Sequence, residues 1–303
     1  ELVAAPSSDE DTLAAYAADV DGIMFCFAQI TPKVLHAAKA CVVASRFGIG
    51  VDNIDRSLCT ELGIVVTNVP DYCVDEVSDH VMSMILSFNR HLSQLDRAVK
   101  SGGWGNTPLP MHSRRLRTTT LGIVGMGRIG QALAKRGNAF GMRLLAYDPY
   151  VVPQNAPTGI EMVALDRLLA DSDFVSLHTP LTDDTHKLIG REELKIMKPT
   201  AFLVNAARGP LVDDDALVEA LRAGEISGVG IDVTPTEPPP SEHPLFEMDN
   251  VIVTPHTAFH SKESLFELEQ RTAQEVVRVL SGKMPEHLVN PHVIGRTRVQ
   301  LPT

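Results

Sequence analysis

The sequence predicts an α/β protein built as two Rossmann-like domains, each around a parallel sheet. Three observations carry that expectation. Residues 1–74 alternate short apolar strands with helical stretches, and a second series of the same kind begins at Leu121. Between them Asn68-Val69-Pro70 breaks the pattern, as a domain crossover would. The chain has 303 residues, enough for two cores at ~100–200 residues per domain.

The elements follow in order. Glu1-Leu-Val-Ala-Ala-Pro6 reads as an interior strand running into a loop, with no initiator Met before it, so a leading strand and helix are expected to precede it. Strands are expected at 22–26, 41–45 and 65–67, with helices at 13–18 and 34–40. Residues 75–100 predict one long helix, because Val77, Val81, Met84, Ile85, Phe88, Leu92, Leu95 and Val99 recur mostly three and four apart. That stripe suits packing within the chain or a subunit interface equally. A Gly/Pro-rich loop, 101–110, carries Trp104, the only tryptophan. The second series places strands at 121–124, 143–147, 174–177, 201–205, 229–232 and 251–254, with a last helix at 261–280. The run Pro235-Thr-Glu-Pro-Pro-Pro240 is too stiff for helix and reads as an ordered loop.

Composition removes several function classes. Hydrophobic residues at 44% and charged residues at 21% describe a globular protein. The formal net charge of −11 argues against nucleic acid as a partner, since an acidic surface repels phosphate. An anionic substrate would also need a local cation. Cys26, Cys41, Cys59 and Cys73 form no CxxC pair and read as reduced thiols rather than a disulfide framework. No signal peptide or membrane-length apolar run is visible, which leads to the expectation of a cytoplasmic protein with no membrane partner.

Gly125-Met-Gly127-Arg128-Ile129-Gly130 is a GxGxxG directly after an apolar strand and at the start of a helix expected over 129–140. In that context Gly125 allows the tight turn, Gly127 the approach of pyrophosphate and Gly130 close helix–sheet packing. N–H groups at the helix start would hold the phosphates. Asp148 ends the next strand, eighteen residues after Gly130. A carboxylate there accepts from both ribose hydroxyls and repels a 2′-phosphate, so the cofactor is expected to be NAD.

Three polar residues follow successive strand ends: Arg208, Glu237 and His256. Ligands of open parallel sheets bind outside the carboxyl ends of the strands, so these loops aim at the crevice that holds the dinucleotide. Reduction of a keto acid needs a cation for the carboxylate and carbonyl, which a planar, always-charged Arg208 supplies. It needs a proton donor, which suits His256. It needs an anion that orients the imidazole and favours its protonated form, which suits Glu237. Asp232 would bond the nicotinamide carboxamide, and His178 would line the crevice by packing. His80 reads as structural, while His36, His112 and His287 have no supporting context. Each of the three residues alone is more often an ordinary surface group; their succession beyond a full dinucleotide fingerprint argues against coincidence. No His/Cys/carboxylate cluster has metal-ligand spacing, so no metal is expected.

These stretches resemble the D-isomer-specific 2-hydroxyacid dehydrogenases over nearly the whole length. The matching motifs are Arg46-Phe-Gly48-Ile49-Gly50-Val-Asp-Asn-Ile-Asp55, Asn68-Val-Pro70, 124–130, His178-Thr179-Pro180-Leu181, Asn205-Ala206-Ala-Arg208-Gly209, Gly230-Ile-Asp232-Val233 and Thr254-Pro-His256. The resemblance implies a discontinuous substrate domain, residues 1–74 and 261–303, around an inserted NAD-binding domain, 75–260. It implies the Arg208–Glu237–His256 catalytic set and a cofactor site extending to Arg128, Ile129, His178, Thr179, Pro180, Ala206 and Asp232. It implies that Gly48, Ile49 and Gly50 bind the substrate carboxylate through N–H groups beside Arg46. It also implies a homodimer formed through the cofactor domains, which tilts the helical stripe toward an interface. The branch containing the C-terminal-binding-protein corepressors and the phosphoglycerate dehydrogenase-like members is most similar, although Phe259 stands where the corepressors have Trp. Formate dehydrogenases of this superfamily lack the acid partner of the histidine, so Glu237 argues against that activity. The implied activity is NAD-dependent interconversion of a small D-2-hydroxy acid and its 2-keto acid, with glyoxylate, hydroxypyruvate or phosphoglycerate-type substrates. The alternative is an NAD(H)-sensing regulator on the same fold.

Overall fold

The structure, a computed structural model, describes residues 1–104, 113–152 and 157–302. Residues 105–110 of the Gly/Pro-rich loop, and His112, lie outside them. Up to Tyr72 the chain forms α1 (Glu10–Ala17), β1 (Gly22–Phe25), α2 (Pro32–Ala37), β2 (Val43–Arg46), α3 (Arg56–Glu61) and β3 (Val65–Thr67). Next come α4 (Val74–Arg90), α5 (Leu92–Lys100), β4 (Thr120–Val124), α6 (Arg128–Ala139), β5 (Arg143–Tyr147) and β6 (Ile160–Met162). Then follow α7 (Leu165–Asp171), β7 (Phe174–Leu177), α8 (Arg191–Ile196), β8 (Phe202–Asn205), α9 (Asp214–Ala223), β9 (Gly228–Ile231) and β10 (Val251–Val253). The last helix is α10 (Lys262–Leu280). The chain divides into two compact units, Glu1–Tyr72 with Ser261–Thr303, and Cys73–His260. One α/β unit is thus inserted into another.

The first unit holds a parallel sheet in the order β1-β2-β3. Its strands are nearly all apolar because both faces are covered. The α10 helix packs on this sheet, with Val279 fully buried against Val43 and Val65. The tail then returns along β3, where the Val289 N–H donates to the Val66 carbonyl at 2.8 Å. Asn290, 5% exposed, clamps it: its carbonyl oxygen accepts from the Val66 N–H at 2.8 Å, and its amide donates to the Ile64 carbonyl and the Thr60 hydroxyl. Asn290→Ala strands those buried groups and is expected to cost ~1–3 kcal/mol. A urea unfolding midpoint equal to wild type would show that the clamp carries no stability.

Residues 1–8 are exposed and form no strand, so the strand read at the start of Glu1–Pro6 is not found. The six-residue α3 carries no long periodic pattern, and its start is fixed instead by the Asp55 carboxylate accepting from the Leu58 N–H. All four cysteines are thiols. Burial pushes Cys41 up to about 11 and Cys59 up to about 12, which keeps both protonated and unreactive.

The second unit is built on seven parallel strands in the order β10-β9-β8-β7-β4-β5-β6. From β4 the chain moves outward to β5 and β6, then returns to place β7 on the other side of β4. The order reverses between β4 and β7, and ligands of such sheets bind at that switch point. The short edge strand β6 escapes a sequence reading because Ile160, Glu161 and Met162 give no apolar run. The single helix expected over 75–100 is two helices. His91 adopts a left-handed conformation at φ 54° and separates α4 from α5. The apolar period continues across the break, so sequence spacing cannot reveal it. Among the described residues no helix is long and apolar enough to cross a membrane.

Candidate active site

The turn after β4 is shaped by its glycines. Gly125 has φ +99°, and a Cβ there would lie 2.8 Å from the His178 backbone. A Cβ on Gly130 would stand 2.1 Å from the Gly125 carbonyl oxygen, which draws α6 against the turn. Gly127 is different: nothing lies within 4 Å of where its Cβ would be. Gly127 and Arg128 are exposed, Ile129 is half-buried, and no side chain caps α6 at Gly127. From Gly127 onward the start of α6 therefore adjoins open space at the positive end of a helix.

At the end of β5 the Asp148 carboxylate accepts from the Met126 N–H at 2.8 Å and from the Tyr150 N–H at 2.9 Å. It is thereby fixed beside the glycine turn. After β7, burial pushes the His178 imidazole down to about 4, so it is neutral at pH 7 and bonds the Ser176 hydroxyl at 2.9 Å. The Thr179 hydroxyl oxygen is buried with no protein partner, and Pro180 is exposed. Open space over Gly127, an uncapped helix start, an orphan hydroxyl and a carboxylate at the second strand end together fit a dinucleotide.

The other loops follow three adjacent strands. After β8, the Asn205 amide donates to the Arg208 carbonyl at 2.8 Å, and its oxygen accepts from the Ala207 N–H at 3.1 Å. This side-chain clamp folds residues 205–208, with Ala206 half-buried, and presents Arg208 partly exposed. Gly209 follows, and a Cβ there would stand 2.1 Å from the Thr234 carbonyl carbon. Only glycine lets the Arg208 loop and the loop after β9 come so close.

Glu237, in that second loop, accepts from the Thr234 N–H at 3.1 Å through Oε1. Its Oε2 lies 2.6 Å from Nδ1 of His256. Burial works to raise the Glu237 carboxyl. The His256 bond and charge, the Thr234 N–H and the Arg208 charge outweigh it and hold the group below the usual carboxylate range. Glu237 is therefore an anion at neutral pH, facing an imidazole whose side chain is 25% exposed. The solvent-accessible imidazole and the carboxylate that orients it form a proton-donating pair. The loops after the neighbouring strands β9 and β10 thus bring Glu237 and His256 into contact.

His256 has φ 53°, a costly conformation for a non-glycine residue. Its N–H donates to the Asp232 carbonyl at 2.7 Å. The Asp232 carboxylate, 2% exposed, accepts from the Thr257 N–H at 2.9 Å, the Ala258 N–H at 2.8 Å and the Thr254 hydroxyl at 2.6 Å. The carboxylate expected to meet the carboxamide thus also ties down the His256 loop. Sequence reasoning missed that duty, along with Thr254 and His80, whose Nε2 lies 2.9 Å from the Thr254 hydroxyl. Hydrogen bonds between residues 174 positions apart leave no local signal.

In the first unit Arg46 ends β2 and is 7% exposed. Its guanidinium donates to the Phe47 carbonyl, meets Cys26 Sγ at 3.4 Å and lies over the Phe27 ring. Gly48 has φ +142°, and a Cβ there would be 2.8 Å from the guanidinium. The Gly48 N–H donates to the Arg46 carbonyl, while Ile49 accepts from Asn68 through its carbonyl. Of the three expected N–H donors, Gly48 is therefore already engaged, which leaves the N–H groups of Ile49 and Gly50.

Among the described residues one group of possible metal ligands forms without a sequence signature: Glu275, Glu286 and His287, with ligand atoms within 4.8 Å of one another. Glu275 already accepts from the Glu286 N–H, and His287 Nε2 meets Arg271 at 2.7 Å. The group is internally bonded.

Residues 82–258 match the family described as D-isomer specific 2-hydroxyacid dehydrogenase, NAD binding domain. A glyoxylate reductase of Korarchaeum cryptofilum is 40% identical over 268 residues, covering 88% of this chain and 81% of that one. The solved D-lactate dehydrogenase from Aquifex aeolicus, complexed with NAD and lactic acid, superposes with a TM-score of 0.83 at 31% identity, covering 96% of this chain and 90% of that one. The NADPH-dependent glyoxylate/hydroxypyruvate reductase of Sinorhizobium meliloti, in complex with NADP and malonate, gives 0.87 at 29% identity, covering 98% and 90%.

Proposed function

We propose, from the premise that the chain belongs to the D-isomer-specific 2-hydroxyacid dehydrogenase family and is an NAD-dependent D-2-hydroxyacid dehydrogenase, that it reduces a small 2-keto acid with His256 as general acid. Glyoxylate and hydroxypyruvate are the favoured substrates, on the strength of the relatives' names. The observation that carries the reading is the 2.6 Å contact between His256 Nδ1 and Glu237, which sets a carboxylate against one ring nitrogen and gives the proton-donating role to Nε2.

Bound NADH would supply the hydride that the carbonyl carbon takes up. Arg208 binds the carboxylate and polarises the carbonyl, so that the negative charge growing on oxygen meets a fixed cation. His256 gives its proton to that oxygen, and Glu237 stabilises the imidazolium before transfer. In the oxidative direction His256 takes the hydroxyl proton. The cofactor would be held by Gly125, Gly127, Arg128, Ile129 and Gly130 at the pyrophosphate, by Asp148 at the ribose, and by His178, Thr179, Pro180, Ala206 and Asp232 along the crevice. Arg46 and the N–H groups of Ile49 and Gly50 contribute to substrate binding, with Gly48 shaping their loop. A homodimer is the proposed assembly, supported by the exposed Leu92 and Val99 of α5 and by Trp104.

The test is NADH oxidation with glyoxylate, hydroxypyruvate, pyruvate and 3-phosphohydroxypyruvate. Turnover with a small unphosphorylated acid is expected. Tight NADH binding without turnover on any acid would transfer the protein to the NAD(H)-sensing reading, and a marked preference for the phosphorylated acid would move it to the phosphoglycerate branch.

Asp148 makes a second prediction. Hydrogen bonds to a charged group are worth ~1.5–3 kcal/mol, so Asp148→Ser is expected to shift the NADH-to-NADPH ratio of kcat/KM roughly tenfold or more toward NADPH. An unchanged ratio would assign ribose reading to another residue.

A further inference from the structure

We propose that His80 is a positioning residue for the proton donor, acting through Thr254 on the loop that carries His256. The proposal rests on the reading of His256 as general acid. Its geometry lies wholly within the inserted unit.

The chain of bonds has one consistent proton arrangement. A carboxylate only accepts, so the single Thr254 hydroxyl proton is donated to Asp232, at 2.6 Å. The Thr254 oxygen can then only accept from His80, whose Nε2 stands 2.9 Å away. His80 is thereby fixed with its proton on Nε2. Beyond Asp232 the same carboxylate receives the N–H groups of Thr257 and Ala258, the two residues after His256. The Asp232 carbonyl receives the N–H of His256 itself, at 2.7 Å. The left-handed backbone at His256 is thus held from both sides by Asp232, and Asp232 is oriented by Thr254.

His80 supplies what those loop residues lack, a link to a rigid element. It lies on α4, whose Val77, Val81, Met84 and Ile85 are buried. The helix lies tight against β9. A Cβ on Gly230 would stand 2.9 Å from Met84 Sδ, and one on Gly228 would stand 2.6 Å from the Phe88 ring. The imidazole therefore projects from a fixed platform onto the end of β10. Without it, Thr254 keeps its bond to Asp232 but can rotate together with it, and the imidazole of His256 loses its fixed aim.

The experiment compares His80→Ala, His80→Gln and Thr254→Val in the whole chain. Glutamine places an amide N–H near the Nε2 position and can restore the bond. With the best keto acid, His80→Ala is expected to lower kcat about tenfold, a loss suited to a misplacement of well under 1 Å. The keto-acid KM and NADH affinity should stay within about twofold of wild type, because a group acting only at proton transfer leaves ground-state binding alone. His80→Gln should recover most of the loss, and Thr254→Val should fall at least as far as His80→Ala. Unchanged kcat in His80→Ala, equal losses in the Ala and Gln variants, or a loss confined to NADH binding would each overturn the assignment. The 15N signals of the His256 ring supply a readout independent of turnover. They should move in His80→Ala and return in His80→Gln; unmoved signals would also overturn it. If the wild type turns over no acid, the proposed reaction falls, and those ring signals still decide whether His80 aims His256.

Discussion

Replacing His256 by alanine is expected to lower turnover by roughly 10²–10⁴-fold, the usual contribution of a positioned general acid, while NADH still binds. The dinucleotide contacts assigned to Gly125–Gly130 and Asp148 belong to β4 and β5, whereas His256 follows β10 at the far end of the sheet. Loss of the imidazole should therefore leave cofactor affinity near its wild-type value. The backbone at this position complicates the choice of variant, since φ is 53° and alanine is poorly suited to the left-handed region. His256→Asn supplies the control, because asparagine tolerates that conformation and lacks an ionisable ring. Both variants should lose turnover alike. A healthy asparagine variant would show that the loop shape, and not the proton, is what the reaction needs. The same role fixes the sign of the pH response. Reduction requires the proton on His256 and declines as pH rises; oxidation requires its absence and declines as pH falls. Glu237, held below the usual carboxylate range, stays charged across the neutral region and keeps its bond to the ring in both directions. Two profiles of the same sign would reject His256 as the group that moves the proton.

Much of this site is legible in the sequence because its parts sit at strand ends. A parallel strand buried on both faces declares itself as an apolar run, and the first polar residues beyond it must lie at the carboxyl edge. Arg208, Glu237 and His256 are found by that logic, and β8, β9 and β10 prove to be neighbours in the sheet. The GxGxxG turn is legible for a related reason: Gly125 and Gly130 each answer a steric demand, and Gly127 leaves open space beside the helix start. What escaped depends on distance along the chain. Gly209 reads as a turn residue, yet its importance is that a Cβ there would stand 2.1 Å from the Thr234 carbonyl carbon, a closeness no local pattern encodes. His80 lies on a helix whose stripe suggests packing or an interface but no link to the His256 loop, and its partner Thr254 looks like the last residue of a strand. The break at His91 is invisible because helical spacing resumes in phase at Leu92. Gly48 was expected to donate its N–H to a substrate carboxylate, but the tight turn at φ +142° spends it on Arg46.

Arg208→Lys is expected to cost roughly 10²–10³-fold in kcat/KM for the keto acid, the scale seen when one preorganised donor to a developing oxyanion is removed. The substitution keeps the charge, so attraction of the carboxylate survives in part. It removes the planar fork that can bond two oxygens at once, and a lysine ammonium cannot restore that geometry. The loop has no room to compensate. Asn205 bonds both Ala207 and Arg208 in the backbone, and Gly209 is pressed against Thr234 and Pro235. A shift that brought the ammonium closer would drive residue 209 into the loop that carries Glu237. The partition of the loss is the informative measurement. If Arg208 only holds the carboxylate, KM rises and kcat stays, since ground state and transition state lose equally. If it also polarises the carbonyl, kcat falls as well, which is the outcome expected here. Because the Arg208 charge helps to hold Glu237 ionised, Arg208→Gln should fall further than Arg208→Lys and shift the pH profile, whereas the lysine variant should leave that profile in place. Equal activity of the lysine and wild-type proteins would remove Arg208 from the catalytic set and leave the acid–base pair without its cation.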